Sequence, residues 1–178
     1  MRDKKGWGAE GQGNRGVDDR TFNEELNRGA RLLSQGKAQQ AQAILERLLK
    51  HRPDDVSAAI NLGGAYILNK QFKRAVPILE AVVEREPRNA MVWTNLGAAY
   101  LGNPVLATRE DQDKAIAAFE RALECDPAAP HVAYNIGLIY RDRNDRDRAI
   151  HWFTRALQGN ALDNDARRIL ERLQRDDH

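Results

Sequence analysis

The chain has a single cysteine, Cys125, and only 6% aromatic residues among its 178. One thiol cannot close an internal disulfide or supply a cysteine-based zinc site, so a disulfide scaffold and a zinc finger are both excluded. No apolar run approaches the roughly 20 residues that span a bilayer. The first residues, MRDKKGWGAEGQGNRGVDDR, lack the apolar core of a secretory signal. Together these absences predict a cytoplasmic chain without membrane insertion. A surplus of one charge is missing too: 28 Lys and Arg stand against 26 Asp and Glu, for a net charge of +2. Proteins that bind nucleic acid by neutralising phosphates concentrate their basic residues. Here the sign alternates along the chain and the stretch 90–129 is acidic, so no nucleic-acid partner is expected.

What the chain does have is an internal repeat. NLGGAYILNKQFKRAVPILEAVVEREP begins at Asn61, NLGAAYLGN at Asn95 leads to KAIAAFERALECDP, and NIGLIYRDRNDRDRAIHWFTRAL begins at Asn135. Pro53 and Pro87 are 34 residues apart, and Pro87 and Pro127 are 40 apart. The units are therefore 22–55, 56–89, 90–129 with a six-residue insertion, and 130–163. A Gly-rich tail, 1–21, precedes them and a helix with a short tail, 164–178, follows. Small residues recur at the eighth position (Gly29, Gly63, Gly97, Gly137) and again at Ala41, Ala75, Ala115 and Ala149. Two helices approach to about 8 Å only where side chains are small, so these residues predict a close crossing inside each unit. Large residues fill the space between: Leu32, Tyr66, Tyr100 and Tyr140, then Leu45, Leu79, Phe119 and Phe153. Spacings of three and four place each set on one helical face. Proline stops a helix, and Asp55 and Asn89 stand where an oxygen can cap the next one. The fourth unit has Ala161 in place of the proline and is expected to end at Gly159-Asn160 in a left-handed terminus. Beyond it, Ala166, Ile169, Leu170 and Leu173 form an apolar stripe flanked by Arg167, Arg168, Glu171 and Arg172, the pattern of a terminal capping helix.

This register resembles the tetratricopeptide repeat family. The resemblance implies an all-α fold, a right-handed superhelical solenoid of antiparallel helix pairs, here four repeats plus the capping helix. It also implies that the first helices line a concave groove, with the second, fifth, sixth, ninth and twelfth positions facing it. The sixth position is asparagine in every unit: Asn27, Asn61, Asn95 and Asn135. A primary amide can pair with both the N–H and the C=O of an extended peptide, so the four resemble the asparagine ladders of the family's peptide-holding superhelices. A structural use of the same asparagines, against a neighbouring helix or for solubility, stands beside that reading. Leu26, Ile60, Thr94 and Tyr134 take the fifth position and Ala30, Gly64, Ala98 and Leu138 the ninth, with Met91, His131 and Arg141 towards one end. Such a floor suits an apolar or mixed peptide, although Ile67 and Leu101 are equally suited to packing on the adjacent helix.

The carboxylate clamp by which co-chaperones of this family hold heat-shock proteins is not expected. The matching places hold Leu26, Ala30, Asn61, Met91 and Asn95, or one unit later Ile60, Gly64, Asn95, His131 and Asn135. Neither set brings the paired cations that would offset desolvation of two carboxylates. Catalysis finds no constellation either. No two of His51, His131, His151 and His178 have the i, i+4 spacing of a helical metal site, and His51 and Cys125 lie two units apart. No cofactor or metal is expected.

Three segments fall outside the repeat. The insertion, around GNPVLATREDQDK, reads as an exposed loop with an apolar tip at Val105 and Leu106. In RDRNDRDR, from Arg141, four arginines meet three aspartates, the composition of a solvated, self-paired turn. The tail carries Trp7 in a Gly-rich context expected to be disordered when free, and docking of that tryptophan in a groove is one use for it. The sequence thus predicts a non-enzymatic interaction module holding an extended segment of a partner protein. The alternative is a structural repeat protein that self-associates through its end faces without a peptide ligand.

Overall fold

The structure, a computed structural model, describes residues 18–175; Trp7 and its neighbours lie outside the described residues. Nine helices follow one another and no strand occurs among the described residues: α1 (Asp19–Ser34), α2 (Ala38–His51), α3 (Val56–Leu68), α4 (Phe72–Arg85), α5 (Ala90–Leu101), α6 (Arg109–Cys125), α7 (Val132–Asp142), α8 (Arg146–Gly159) and α9 (Asn164–Arg175). Each helix packs on the next in the chain, and the alternate helices α1, α3 and α5 also touch. The result is a helical solenoid in which each layer covers the one before it.

The unit ends have local causes. Asp55 accepts from the Ala58 N–H at 2.8 Å, and Asn89 from the N–H groups of Met91 and Val92 at 3.1 and 3.4 Å, so free donors of α3 and α5 are satisfied. The residues before the three unit-ending prolines, Arg52, Glu86 and Asp126, lie outside the helical region, with φ of −133°, −127° and −142°. Proline's Cδ excludes the helical region for the residue it follows, which ends the helix there. The turn within a unit is closed by a left-handed residue at one repeated position: Gly36 (φ 72°), Lys70 (φ 58°) and Asn144 (φ 56°). In each case the next N–H reaches back five residues: Lys37 to Leu32 O, Gln71 to Tyr66 O and Asp145 to Tyr140 O, at 2.8, 2.7 and 2.9 Å. This is the geometry that satisfies the last carbonyls of a helix.

One unit end differs from expectation and one helix start differs from its counterparts. Gly159 stays helical and Asn160 is extended with φ −144°, so the fourth unit ends without a left-handed residue. Ala156 O receives the Asn160 N–H at 2.9 Å. The start of α7 is also unlike its counterparts. Ala129 stands where Asp55 and Asn89 supply caps, the helix begins at Val132, and His131 precedes it at φ 62° with no side-chain cap.

The crossing of the two helices in a unit carries the packing. A Cβ built on Gly63 would lie 2.6 Å from Leu79 Cδ2, and one on Gly97 2.6 Å from Phe119 Cδ1. At Gly29 and Gly137 the nearest atoms, of Leu45 and Phe153, are 3.1 Å away. Leu45, Leu79, Phe119 and Phe153 are all fully buried. Between units, a tyrosine of one first helix reaches a glutamate of the preceding second helix. Tyr66 Oη donates to Glu46 Oε1 at 2.8 Å and Tyr100 Oη to Glu80 Oε1 at 2.7 Å. Burial, reinforced by the facing carboxylate, pushes both phenols up to about 12. Tyr140 departs from the pattern, since the Arg148 and Arg143 guanidiniums lie over its ring at 5.4 and 5.8 Å.

The insertion divides between a seven-residue connection, 102–108, and a lengthened second helix, for α6 has 17 residues where α4 has 14. Thr108 and Asp111 cap α6 reciprocally. Val105 and Leu106 are 90% and 76% exposed at the tip of the connection. The arginine-rich turn is less self-contained than its composition suggests. Arg141 and Arg148 do pair locally, with Asp142 and Asp145. The Arg143 side chain, however, is buried and reaches back to Gln112 Oε1 at 2.7 Å and Asp113 Oδ1 at 2.6 Å on α6. Arg146 reaches forward to Leu173 O at 2.6 Å on α9. That turn therefore ties the lengthened helix and the terminal helix to the fourth unit.

Two outcomes follow from this packing. Gly97→Ala is expected to cost about 1–3 kcal/mol, because the buried Phe119 ring has nowhere to move. Gly29→Ala should be near neutral, since the Leu45 side chain can yield and alanine favours a helix by about 1 kcal/mol; urea midpoints of the two variants check this. The raised phenols stabilise the folded chain fully below pH about 10 and cease to do so as pH climbs towards about 12. Thermal melts at rising pH should show that alkaline loss, and it should shrink in the Tyr66→Phe/Tyr100→Phe variant.

Candidate functional site

The candidate site is the face formed by the first helices. Successive residues of a helix are rotated by about 100°, so the sixth position of a unit is turned about 200° from the eighth. Gly63, Gly97 and Gly137 are buried against their second helices, and Asn61, Asn95 and Asn135 are half-buried on the far side. Asn27 is exposed. None of these four amides has a hydrogen-bond partner among the described residues. The proposed structural use of them, as bonds to a neighbouring helix, is therefore not made.

The other residues expected on this face divide into two groups. Ile60 is withdrawn into the core at 9% exposure, and Leu26 and Ile67 pack on the same cluster. The fifth position lies only about 60° from the eighth around the axis, which turns a large residue there inward. Thr94 spends its hydroxyl on the Ala90 carbonyl at 2.8 Å. Ala98 and Leu101 pack on the middle cluster, while Leu138 packs on the last one, formed by Ala149, Phe153 and Ala166. Ala30 and Gly64 are half-buried on α1 and α3, and Met91 is 62% exposed at the start of α5. His131 lines a cavity of about 520 Å³ with Pro127, Pro130, Tyr134 and Arg155 at the junction of α7 and α8.

Tyr134 borders a second cavity, of about 670 Å³, whose other lining residues are Arg141, Arg168, Ile169, Arg172 and Arg175. Its ring stands edge-on to Phe153, with centroids 5.6 Å apart. Burial raises the Tyr134 phenol above its ordinary value, Asp165 and Asp163 add to the rise, and Arg141 and Arg168 oppose it. The arginines at 168, 172 and 175 belong to no motif. What reveals them is register. Asp163 Oδ1 accepts from the Ala166 N–H at 2.9 Å, as Asp55 does from Ala58 at 2.8 Å. Ala166 is fully buried, as are Ala58, Val92 and Val132. The helix α9 thus continues the repeat as the first helix of a further unit, and 168, 169, 172 and 175 are its fifth, sixth, ninth and twelfth positions.

Among the described residues no three His, Cys, Asp or Glu side chains gather where they could hold a metal ion. Cys125 is half-buried, with Sγ 3.6 Å from the Pro87 carbonyl. No helix among the described residues is long and apolar enough to cross a membrane.

A stack of helix pairs in repeat register defines a repeat scaffold for protein–protein interaction. The chain belongs to the tetratricopeptide repeat family, whose models match residues 32–100 and 104–167. It is similar to MamA from Desulfovibrio magneticus RS-1, in the structure spanning 41 to the end. The two are 28% identical, with a TM-score of 0.67 over 80% of this chain and 77% of that one. It is likewise similar to TTC0263, a thermophilic tetratricopeptide repeat protein of Thermus thermophilus. There the identity is 25% and the TM-score 0.71, over 85% and 80% of the two chains. No curated protein matches the chain.

Proposed function

We propose that the face of first helices holds an extended segment of a partner protein, without catalysis. The row of Asn27, Asn61, Asn95 and Asn135 supports this reading most directly. Each amide recurs at the same position of its unit, and none has a hydrogen-bond partner among the described residues. An amide without a partner on a helix face gives up only water when it binds a peptide main chain, and one such bond contributes about 0.5–1.5 kcal/mol. Ala30, Gly64 and Ala98 keep the floor low enough for a backbone to approach.

End-face self-association is the weaker reading. At the first end, Glu25 pairs with Arg28 and Arg47, and at the last end Arg167 and Glu171 are exposed. Polar ends of this kind keep a repeat array from adding further copies.

Replacing Asn61 and Asn95 together by alanine should weaken a captured partner by about 1–3 kcal/mol while leaving the melting temperature nearly unchanged. Affinity capture from a lysate with both proteins identifies the partner, and calorimetry with that partner measures the difference. Equal losses of stability and binding would assign the asparagines to the fold instead.

A further inference from the structure

The fifth and ninth positions are uncharged in all four units, and the groove changes character at its last step. On α9 the groove positions are Arg168, Ile169, Arg172 and Arg175, and Arg141 joins them from α7, at the twelfth position of its own unit. Four guanidiniums therefore border one cavity of about 670 Å³, with the Tyr134 ring as a wall. Three of them have a carboxylate near: Arg141 with Asp142 at 2.6 Å, Arg168 with Asp165 at 2.9 Å and Arg175 with Glu171 at 3.6 Å. Arg172 has none among the described residues. Exposed pairs between near neighbours on one helix are worth only a few tenths of a kcal/mol, so an incoming anion can replace them.

We infer that this end of the groove is an anion-binding basin that takes the side-chain carboxylates of an acidic stretch in the bound polypeptide. The inference rests on the reading of the groove as a peptide site, and it adds what the peptide must carry. Spacing favours separated carboxylates over a single phosphoryl group. From 168 to 175 the guanidiniums are strung along about 10 Å of helix at a rise of about 1.5 Å per residue. Alternate side chains of an extended peptide recur on one side about every 7 Å, so two Asp or Glu residues in an i, i+2 relation span most of that length. A phosphoryl group instead calls for donors that converge on one point. Planar guanidiniums suit carboxylates through paired N–H···O bonds. Asp165 pairs with Arg168, whereas Arg172 brings no such neighbour to the cavity.

The test uses the full chain and three labelled peptides that share one Ala/Ser/Leu body. They differ only in a tail that alternates alanine with glutamate, glutamine or phosphoserine. Fluorescence polarisation at low salt should show the glutamate peptide binding about tenfold more tightly than the glutamine one, with the advantage lost as salt rises. The Arg168→Gln/Arg172→Gln variant should erase that advantage, and the charge-matched Arg31→Gln/Arg121→Gln variant should retain it within about twofold. All four arginines are exposed, so neither variant removes buried packing. Equal binding of the glutamate and glutamine peptides, equal effects of the two variants, or no measurable binding of the glutamate peptide would each overturn the inference. A phosphoserine peptide bound far more tightly than the glutamate one would also overturn it, by assigning the basin to phosphate. The Asn61→Ala/Asn95→Ala variant separates this inference from the reading beneath it. If that variant leaves every affinity unchanged while the Arg168→Gln/Arg172→Gln effect persists, the ladder fails and the basin stands.

Discussion

Each of the four helix pairs closes on a glycine, and the rest of the molecule is arranged around that approach. Where Gly63 and Gly97 face Leu79 and Phe119, the backbone of one helix stands within reach of the other's side chain, and a methyl group would have no room. This contact sets the depth of each layer. It also sets rotation about the helix axis, because once the eighth position faces inward the sixth must face outward. The row of asparagines on the open face is thus a geometric consequence of the row of glycines on the closed one. A peptide surface built as proposed on that row would need no loop to position it and would inherit its rigidity from the core.

The helix pairs and their crossings were legible because each depends on residues with narrow conformational use. Glycine and alanine mark the crossings, proline marks the ends, and Asp55 and Asn89 mark the starts. Where the residue type has several uses, sequence was a weaker guide. Gly159 can end a helix in the left-handed region, yet here it continues one. Ile60 shares a position with Tyr134, and an aliphatic chain there folds into the core while the longer aromatic also borders open cavities. The arginines of the last turn look balanced by composition, but a guanidinium on a long stem can choose a partner on another helix, as Arg143 does with Asp113.

The basic end of the groove shows a different limit. Composition treats residues 164–178 as a cap with a buried stripe, and Ala166, Ile169, Leu170 and Leu173 do pack on the last unit. What composition does not convey is that the cap keeps the repeat register. Asp163 occupies the capping position and Ala166 the first buried one, so the charged residues flanking the stripe are also sorted between groove and exterior. Counting one unit beyond the fourth would have found Arg168, Arg172 and Arg175 on the groove side. The terminal helix thereby covers the core and, in the proposed function, extends the peptide groove as well.

The connection 102–108 adds residues without disturbing the next crossing, where Ala115 is as fully buried as Ala75 and Ala149. Layer spacing is therefore set by contact between helices and is indifferent to the contour length of the chain that joins them. A loop of n residues adds entropy that grows only with the logarithm of n, so this turn is a place where the array can lengthen at little cost. With Val105 and Leu106 held at the tip, the added length acts as an outrigger, carrying apolar side chains beyond the stack while the neighbouring layers keep their places.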